Sequence, residues 1–256
     1  MSALFDEVAA ILVLAGIDDA AAETSRIVQA ALVSTPAAPA AAARAMAARR
    51  AAGVPLAYVT GHEMFMGVEL IVAEGALVPR EETQLLGNTA LDALRFSGSA
   101  APRAIDMCCG SGNLACAIAH HLPGVRVWAS DLTDGCIAVT RRNVEHVGVS
   151  DRVVVAQGDL FAGFAGFGLE GSIDAVICNP PYISQGKLAS ERAELLEHEP
   201  REAFDGGPYD SASSSALSRK RCRFCGPVAS SSSRSALGRN ARSGCYSSAR
   251  RLTRTY

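Results

Sequence analysis

The chain has 256 residues, 49% of them hydrophobic and 20% charged, which is enough apolar material for one or two globular domains and excludes a fibrous or wholly disordered chain. Its longest stretches without a formal charge, residues 27–43 and 107–125, are broken by Ser34, Pro36 and Pro39 and by Gly110, Asn113 and His120, so neither is a membrane span. Residues 1–7 carry Asp6 and Glu7 where a signal peptide carries basic residues, so a cytoplasmic protein is expected. The net charge of −2 conceals a balance of −12 over residues 1–210 and +10 over residues 211–256, where no acid occurs.

Residues 1–54 read as a small all-helical domain of about three helices. Leu4, Val8, Ile11 and Leu12, and later Ile27, Ala31 and Leu32, recur at three- and four-residue steps, with Asp18 and Asp19 placed as caps between them. Pro55 ends the domain, because proline disfavours helix in the residue before it. Residues 55–79 change period and form a linker with strand character. Phe65 and Met66, then Val68, Leu70 and Val72, alternate around Gly67 as a β-hairpin does, and residues 75–78 add a further extended piece.

Residues 81–94 read as a helix with acids in its first turn, where they suit the positive end of the dipole. Beyond it, strands are expected at 104–108, 125–129, 153–156 and 173–178, with helices at 113–122 and 134–147. Such alternation means right-handed βαβ units and a parallel sheet covered by helices on both faces. The fold expected over residues 80–209 is Rossmann-like α/β.

Four motifs fall at the carboxyl ends of these strands. The first is Asp106-Met107-Cys108-Cys109-Gly110-Ser111-Gly112-Asn113, whose glycines let the backbone turn sharply and let a ligand approach main-chain N–H groups at a helix N-terminus. Asp131 closes the second strand, where a carboxylate can accept hydrogen bonds from ribose hydroxyls. Gly110-x-Gly112-x-x-Ala115 also satisfies the dinucleotide fingerprint, which leaves a nicotinamide-dependent dehydrogenase open. An acidic Asp106 beside the loop, however, suits the cationic amino group of S-adenosyl-L-methionine and would repel a pyrophosphate.

The third motif is Gly158-Asp159-Leu160-Phe161, in which Asp159 can accept from an adenine amino group with Leu160 against the ring. The fourth is Asn179-Pro180-Pro181-Tyr182. Its two prolines fix φ and remove two donors, so the carbonyls there are held out of ladder hydrogen bonding. Asn179's side-chain oxygen and the Pro180 carbonyl can accept the two N–H groups of a planar NH₂, and Tyr182 can stack on it.

With these residues in order, the chain resembles the HemK-type class I S-adenosyl-L-methionine-dependent methyltransferases, which modify the glutamine of the Gly-Gly-Gln motif in peptide chain release factors. The resemblance runs from residue 1 to about 209. It includes Pro55-Leu56-Ala57-Tyr58-Val59-Thr60-Gly61, the Phe65-Met66-Gly67 turn, Val78-Pro79-Arg80-Glu81-Glu82-Thr83 and the four motifs. It implies a helical domain that helps dock the release factor and a monomeric enzyme without a metal. It further implies that Asn179, Pro180, Pro181 and Tyr182 form the catalytic motif, with Asn179 also at the cofactor. Asp106, Cys108, Gly110 and Gly112 would border that cofactor, Asp131 would bind its ribose, Asp159 and Leu160 its adenine, and Arg80 and Thr83 would pack beside the pocket. Gln84 stands where the family usually has an acid, and Cys108 and Cys109 where it usually has glycine and threonine.

The same Asn-Pro-Pro-Tyr geometry serves an adenine amino group flipped from DNA or RNA, but the acidic body speaks against a nucleic-acid substrate. A pseudoenzyme that docks a translation factor without turnover is the non-enzymatic alternative.

The tail is a different polypeptide. Residues 211–256 hold 13 serines and 9 arginines and no apolar run long enough for a buried strand. Such a composition does not offset a backbone entropy cost of about 1–2 kcal/mol per ordered residue, so disorder is expected. The family's last three strands have no counterpart here, and the shift in composition suggests that the coding frame changes near Tyr209. A basic tail that binds RNA weakly through its phosphates is the alternative. Cys222 and Cys225 form one Cys-x-x-Cys with only Cys245 nearby, too few ligands for a tetrahedral zinc site. Cys108, Cys109, Cys116, Cys136 and Cys178 are expected as reduced thiols in apolar surroundings.

Overall fold

The computed structural model describes residues 2–180, Pro200 and the backbone of residues 245–247. The chain forms two compact units, Met1–Glu63 and Met64–Tyr256. The division falls inside the stretch read from sequence as a linker.

The first unit packs α1 (Ser2–Leu14), α2 (Ala20–Ser34), α3 (Pro39–Ala51) and a short α4 (Leu56–Thr60). Val8, Leu12, Ile27, Val28, Ala31, Ala43 and Ala47 make its core. The Asp19 carboxylate caps α2 by accepting the Ala22 N–H, and Pro39 opens α3 where a missing N–H costs nothing. The half-buried Arg50 guanidinium grips both Glu23 oxygens, at 2.6 and 3.1 Å. Helix α4 is not anticipated by the sequence reading, because Tyr58, Val59 and Thr60 favour strands. Pro55 instead starts the helix, and Gly61 at φ 81° stops it.

A hairpin follows, β1 (His62–Phe65) and β2 (Val68–Ile71). Its turn residues Met66 and Gly67 both have positive φ, as a type I′ turn requires. Residues 75–78 are not a strand. There the backbone of Gly75 closes on that of Gly135, where an added Cβ would meet Gly75 atoms at 3.0–3.4 Å, a contact no pairing strand could make.

The second unit continues with α5 (Thr83–Arg95), β3 (Arg103–Met107), α6 (Asn113–His121), β4 (Arg126–Asp131), α7 (Asp134–His146), β5 (Val153–Gln157), a 3₁₀ turn (Leu160–Phe164) and β6 (Ala175–Cys178). A final strand, β7 (Cys245–Ser247), runs parallel to β6. The sheet order is β5-β4-β3-β6-β7, parallel throughout. Strand β7 corrects the expectation that the tail holds no strand. Strand β6 is wholly buried and its outer ladder edge needs a partner; a three-residue segment can supply one without leaving an apolar run in the sequence. The remaining expectations for the tail, and those for Cys222 and Cys225, lie outside the described residues.

The described helices of this unit share one sheet face. Helices α5, α6 and α7 lie on one face, against Ala104, Val127, Ala129, Val153, Ala175 and Ile177. Among the described residues the other face, Ile105, Met107, Trp128, Val176 and Cys178, is covered by the 3₁₀ turn and its following loop through Phe161, Phe164, Leu169 and Ile173. Handedness explains this. Right-handed crossovers from β3 to β4 to β5 put both helices on one side, and the return from β5 to β6 must pass over the other. That reversal makes the gap between β3 and β6 a topological switch point, where open α/β sheets bind ligands at the strands' carboxyl ends.

Candidate active site

Strand register sets the site. Cys178, Met107, Ser130 and Ala156 stand in one row across β6, β3, β4 and β5. The next residue on each strand is therefore Asn179, Cys108, Asp131 and Gln157, also abreast. Three of these four are residues singled out from the sequence. Asn179 and Pro180 are half-buried, and Pro181 and Tyr182 lie outside the described residues.

The glycine loop leaves β3 in left-handed conformations. Cys108 has φ 56°, Gly110 57° and Gly112 75°. A Cβ on Gly112 would come within 2.7 Å of Thr140 Cγ2, so this glycine is required by packing as well as by φ. The loop is tied on three sides. The Cys109 N–H donates to the Ser130 carbonyl at 3.0 Å, and the Gly110 N–H donates to Asp131 Oδ2 at 2.9 Å. From α7 the Thr140 hydroxyl donates to the Gly110 carbonyl at 2.9 Å, and the Asn143 amide donates to the Ser111 carbonyl at 2.9 Å.

Asp131 is held by three backbone donors. Oδ1 accepts from Leu132 at 2.8 Å and Thr133 at 3.2 Å, and Oδ2 accepts from Gly110. The Cys136 thiol also lies within hydrogen-bonding range of this carboxylate. Leu132 is 64% exposed immediately beyond, an apolar surface beside that acceptor which the sequence reading overlooked.

Asp106 is fully buried at the end of β3, with Oδ2 accepting the Ala115 N–H in the first turn of α6 at 3.0 Å and Oδ1 without a partner. Its pKa is raised to about 7, chiefly by burial; the Ala115 hydrogen bond works against this and the Asp131 charge adds to it. Burial likewise lifts the thiols of Cys109 and Cys116, the latter to about 12, so both are protonated, inert residues of the loop and of α6. Cys108, Cys109, Cys116 and Cys136 are free thiols.

The other two candidate groups are placed less centrally. Asp159 is exposed after β5, and Leu160, at φ 51°, packs its side chain toward the sheet face that carries Trp128. Arg80 and Thr83 open α5, the Thr83 N–H donating to the Arg80 carbonyl at 3.1 Å with Thr83 buried.

Residues 83–207 match the family model described as "Methyltransferase small domain". Over these residues the second unit is similar to a methyltransferase small domain. The release factor glutamine methyltransferase of Moorella thermoacetica is 39% identical to the chain over 173 residues, 67% of this chain and 59% of that protein. That of Streptomyces coelicolor is 38% identical over 160 residues, 62% and 55% of the two chains. The 4-amino-L-phenylalanine/4-methylamino-L-phenylalanine methyltransferase of Streptomyces pristinaespiralis is 34% identical over 182 residues, 70% and 60%. The chain thus spans less than two thirds of the length of the curated relatives it matches. Among solved structures, the N-terminal domain of human METTL16 is similar at 21% identity, covering 59% of this chain and 61% of that one with a TM-score of 0.40. None of the described helices is long and apolar enough to cross a membrane.

S-adenosyl-L-methionine is the methyl donor that the resemblance in sequence implies, and residues of the second unit fit it. The buried, unpartnered Asp106 oxygen lacks a cationic partner, which an ammonium would supply. Asp131 stands beside the glycine loop, bonded to its Gly110 N–H, and the left-handed glycines leave that loop open to close approach. None of these groups calls for a pyrophosphate.

Proposed function

We propose that the chain is an S-adenosyl-L-methionine-dependent methyltransferase whose substrate is the side-chain amide of glutamine in the Gly-Gly-Gln motif of peptide chain release factors. One observation carries the reading. Asn179 and Pro180 leave β6 directly beside the point where Cys108 leaves β3, about 4.8 Å away across the switch point, so a planar NH₂ held there lies next to the cofactor loop. The release factor glutamine methyltransferases at 38–39% identity support the substrate class.

Bound S-adenosyl-L-methionine supplies an electrophilic methyl group on a sulfonium. The amide nitrogen is a poor nucleophile because its lone pair is delocalised, so the protein's task is orientation and polarisation. The Asn179 side-chain oxygen and the Pro180 carbonyl accept the two N–H bonds and aim the nitrogen. As the carbon–sulfur bond broke and the methyl group passed to nitrogen, those N–H bonds would become more acidic and both hydrogen bonds would strengthen, stabilising the transition state more than the ground state, with one N–H proton then lost to solvent and the donor leaving as a neutral thioether. Asp106 and Asp131 hold the donor's ammonium and ribose.

A second reading has one observation in its favour, the 34% identical relative named for an aromatic amine. An aryl NH₂ is also planar and suits the same two acceptors. Incubating the purified chain with methyl-labelled cofactor and, separately, release factor, 4-amino-L-phenylalanine and an adenine-containing oligonucleotide distinguishes the substrates. Label in the release factor, lost when its Gly-Gly-Gln glutamine is replaced by alanine, is the expected result; label in the amine or the oligonucleotide alone overturns it.

A further inference from the structure

Two side chains of α7 that touch no substrate converge on the glycine loop. Thr140 and Asn143 are both fully buried and lie one turn apart. Thr140 rests its methyl group against Gly112 and donates its hydroxyl to the Gly110 carbonyl. Asn143 uses its whole amide. Its NH₂ donates to the Ser111 carbonyl at 2.9 Å and to the Ile71 carbonyl at 3.0 Å, and its oxygen accepts the Ile71 N–H at 2.7 Å. The last residue of the hairpin and the middle of the glycine loop therefore hang on one side chain.

Most buried polar side chains are hydrogen-bonded, and here the bonds of Thr140 and Asn143 fix two successive peptide planes. The peptides of the described residues are trans, so a carbonyl and the next N–H point in opposite directions. Drawing the Gly110 carbonyl toward α7 turns the Ser111 N–H to the opposite side of the loop. Drawing the Ser111 carbonyl the same way turns the Gly112 N–H back onto the Cys109 carbonyl, which it meets at 2.8 Å.

We propose that Thr140 and Asn143 are positioning residues for the methyl donor: they preset the peptide planes of the glycine loop that cofactor binding requires, and Asn143 makes that setting depend on the hairpin's attachment at Ile71. The inference rests on the methyltransferase reading and adds to it two groups that work only through the backbone.

The decisive pair of variants is Thr140→Val, which keeps the methyl contact with Gly112 and removes the hydroxyl, and Thr140→Ser, which keeps the hydroxyl. S-adenosyl-L-methionine binding to the full chain is measured by calorimetry, alongside the unfolding temperature without cofactor. Thr140→Val is expected to weaken binding about fivefold, the range of one net hydrogen bond, with Thr140→Ser within about twofold of the parent. Asn143→Ala is expected to weaken binding more and to speed amide exchange at Ile71. If Asn143→Ala does not fold, the threonine pair still decides. Parent-like binding by Thr140→Val overturns the proposal. So does equal weakening in both threonine variants that follows their loss of stability. If the parent chain itself fails to bind the cofactor, the methyltransferase reading falls first and the positioning role falls with it.

Discussion

Asp106 sits under two opposed demands. Without a cation beside it, its buried carboxyl resists ionisation, and its pKa of about 7 lies above the ordinary 3.8. Between these values Asp106 holds its proton in the folded chain but not in the unfolded one, so the stability this group contributes is fully present below about pH 4 and is lost as the pH rises to about 7. Cofactor binding asks for the ionised form, so affinity should rise over the upper part of that window. Asp106→Asn is expected to raise the unfolding temperature of the unliganded chain at pH 8 by at least about 3 °C. The same change is expected to weaken S-adenosyl-L-methionine binding about 10- to 100-fold, the worth of a charge-assisted hydrogen bond. Calorimetry and thermal melts between pH 5 and pH 8 read both effects. Gly112→Ala, by contrast, is expected to lose stability and binding together, because its Cβ meets both an unfavourable φ and Thr140. Asn179→Ala belongs to a third pattern: turnover falling at least about 100-fold with cofactor affinity kept, checked by initial rates beside calorimetry.

At the scale of elements, local chemistry was legible wherever it repeats. The strands β3 to β6 and helices α6 and α7 fall within two residues of their periodicity, because each alternates apolar cover with a turn signal. The glycine loop, Asp106 and Asp131 were legible for the same reason, as glycines and acids placed at strand ends. Thr140 and Asn143 were not. Asn143 meets Ile71 from 72 residues away, and such a contact leaves only an amide on a buried helix stripe as its trace. Helix α4 was missed because its β-favouring residues are overruled by packing of Val59 into the helical core. That α5, α6 and α7 share one sheet face follows from crossover handedness and strand order, and order is a long-range property.

For the whole molecule, the abrupt change of charge near Tyr209 remains the strongest feature of the chain. If the reading frame shifts there, translating the same nucleotides in the other two frames yields alternating apolar segments fit for further strands; two frames without them would refute the shift. The tail as it stands gives the sheet β7, with Tyr246 opposite Ile177. Tyr246→Pro removes a ladder donor, and a lower unfolding temperature, with more self-association through the bared edge of β6, is the expected outcome in melts and light scattering.

The row of strand ends has one more consequence. Asn179, Cys108, Asp131 and Gln157 follow residues in strict register, and neighbouring strands stand about 4.8 Å apart, so the row is a ruler about 14 Å long with a different chemistry at each mark. Its divisions are set by hydrogen bonds between peptides and are the same whatever the side chains. Exchanging a residue at one mark alters how strongly a ligand is gripped there. The length of ligand that reaches from the amide acceptors to the ribose acceptor is fixed by the sheet itself.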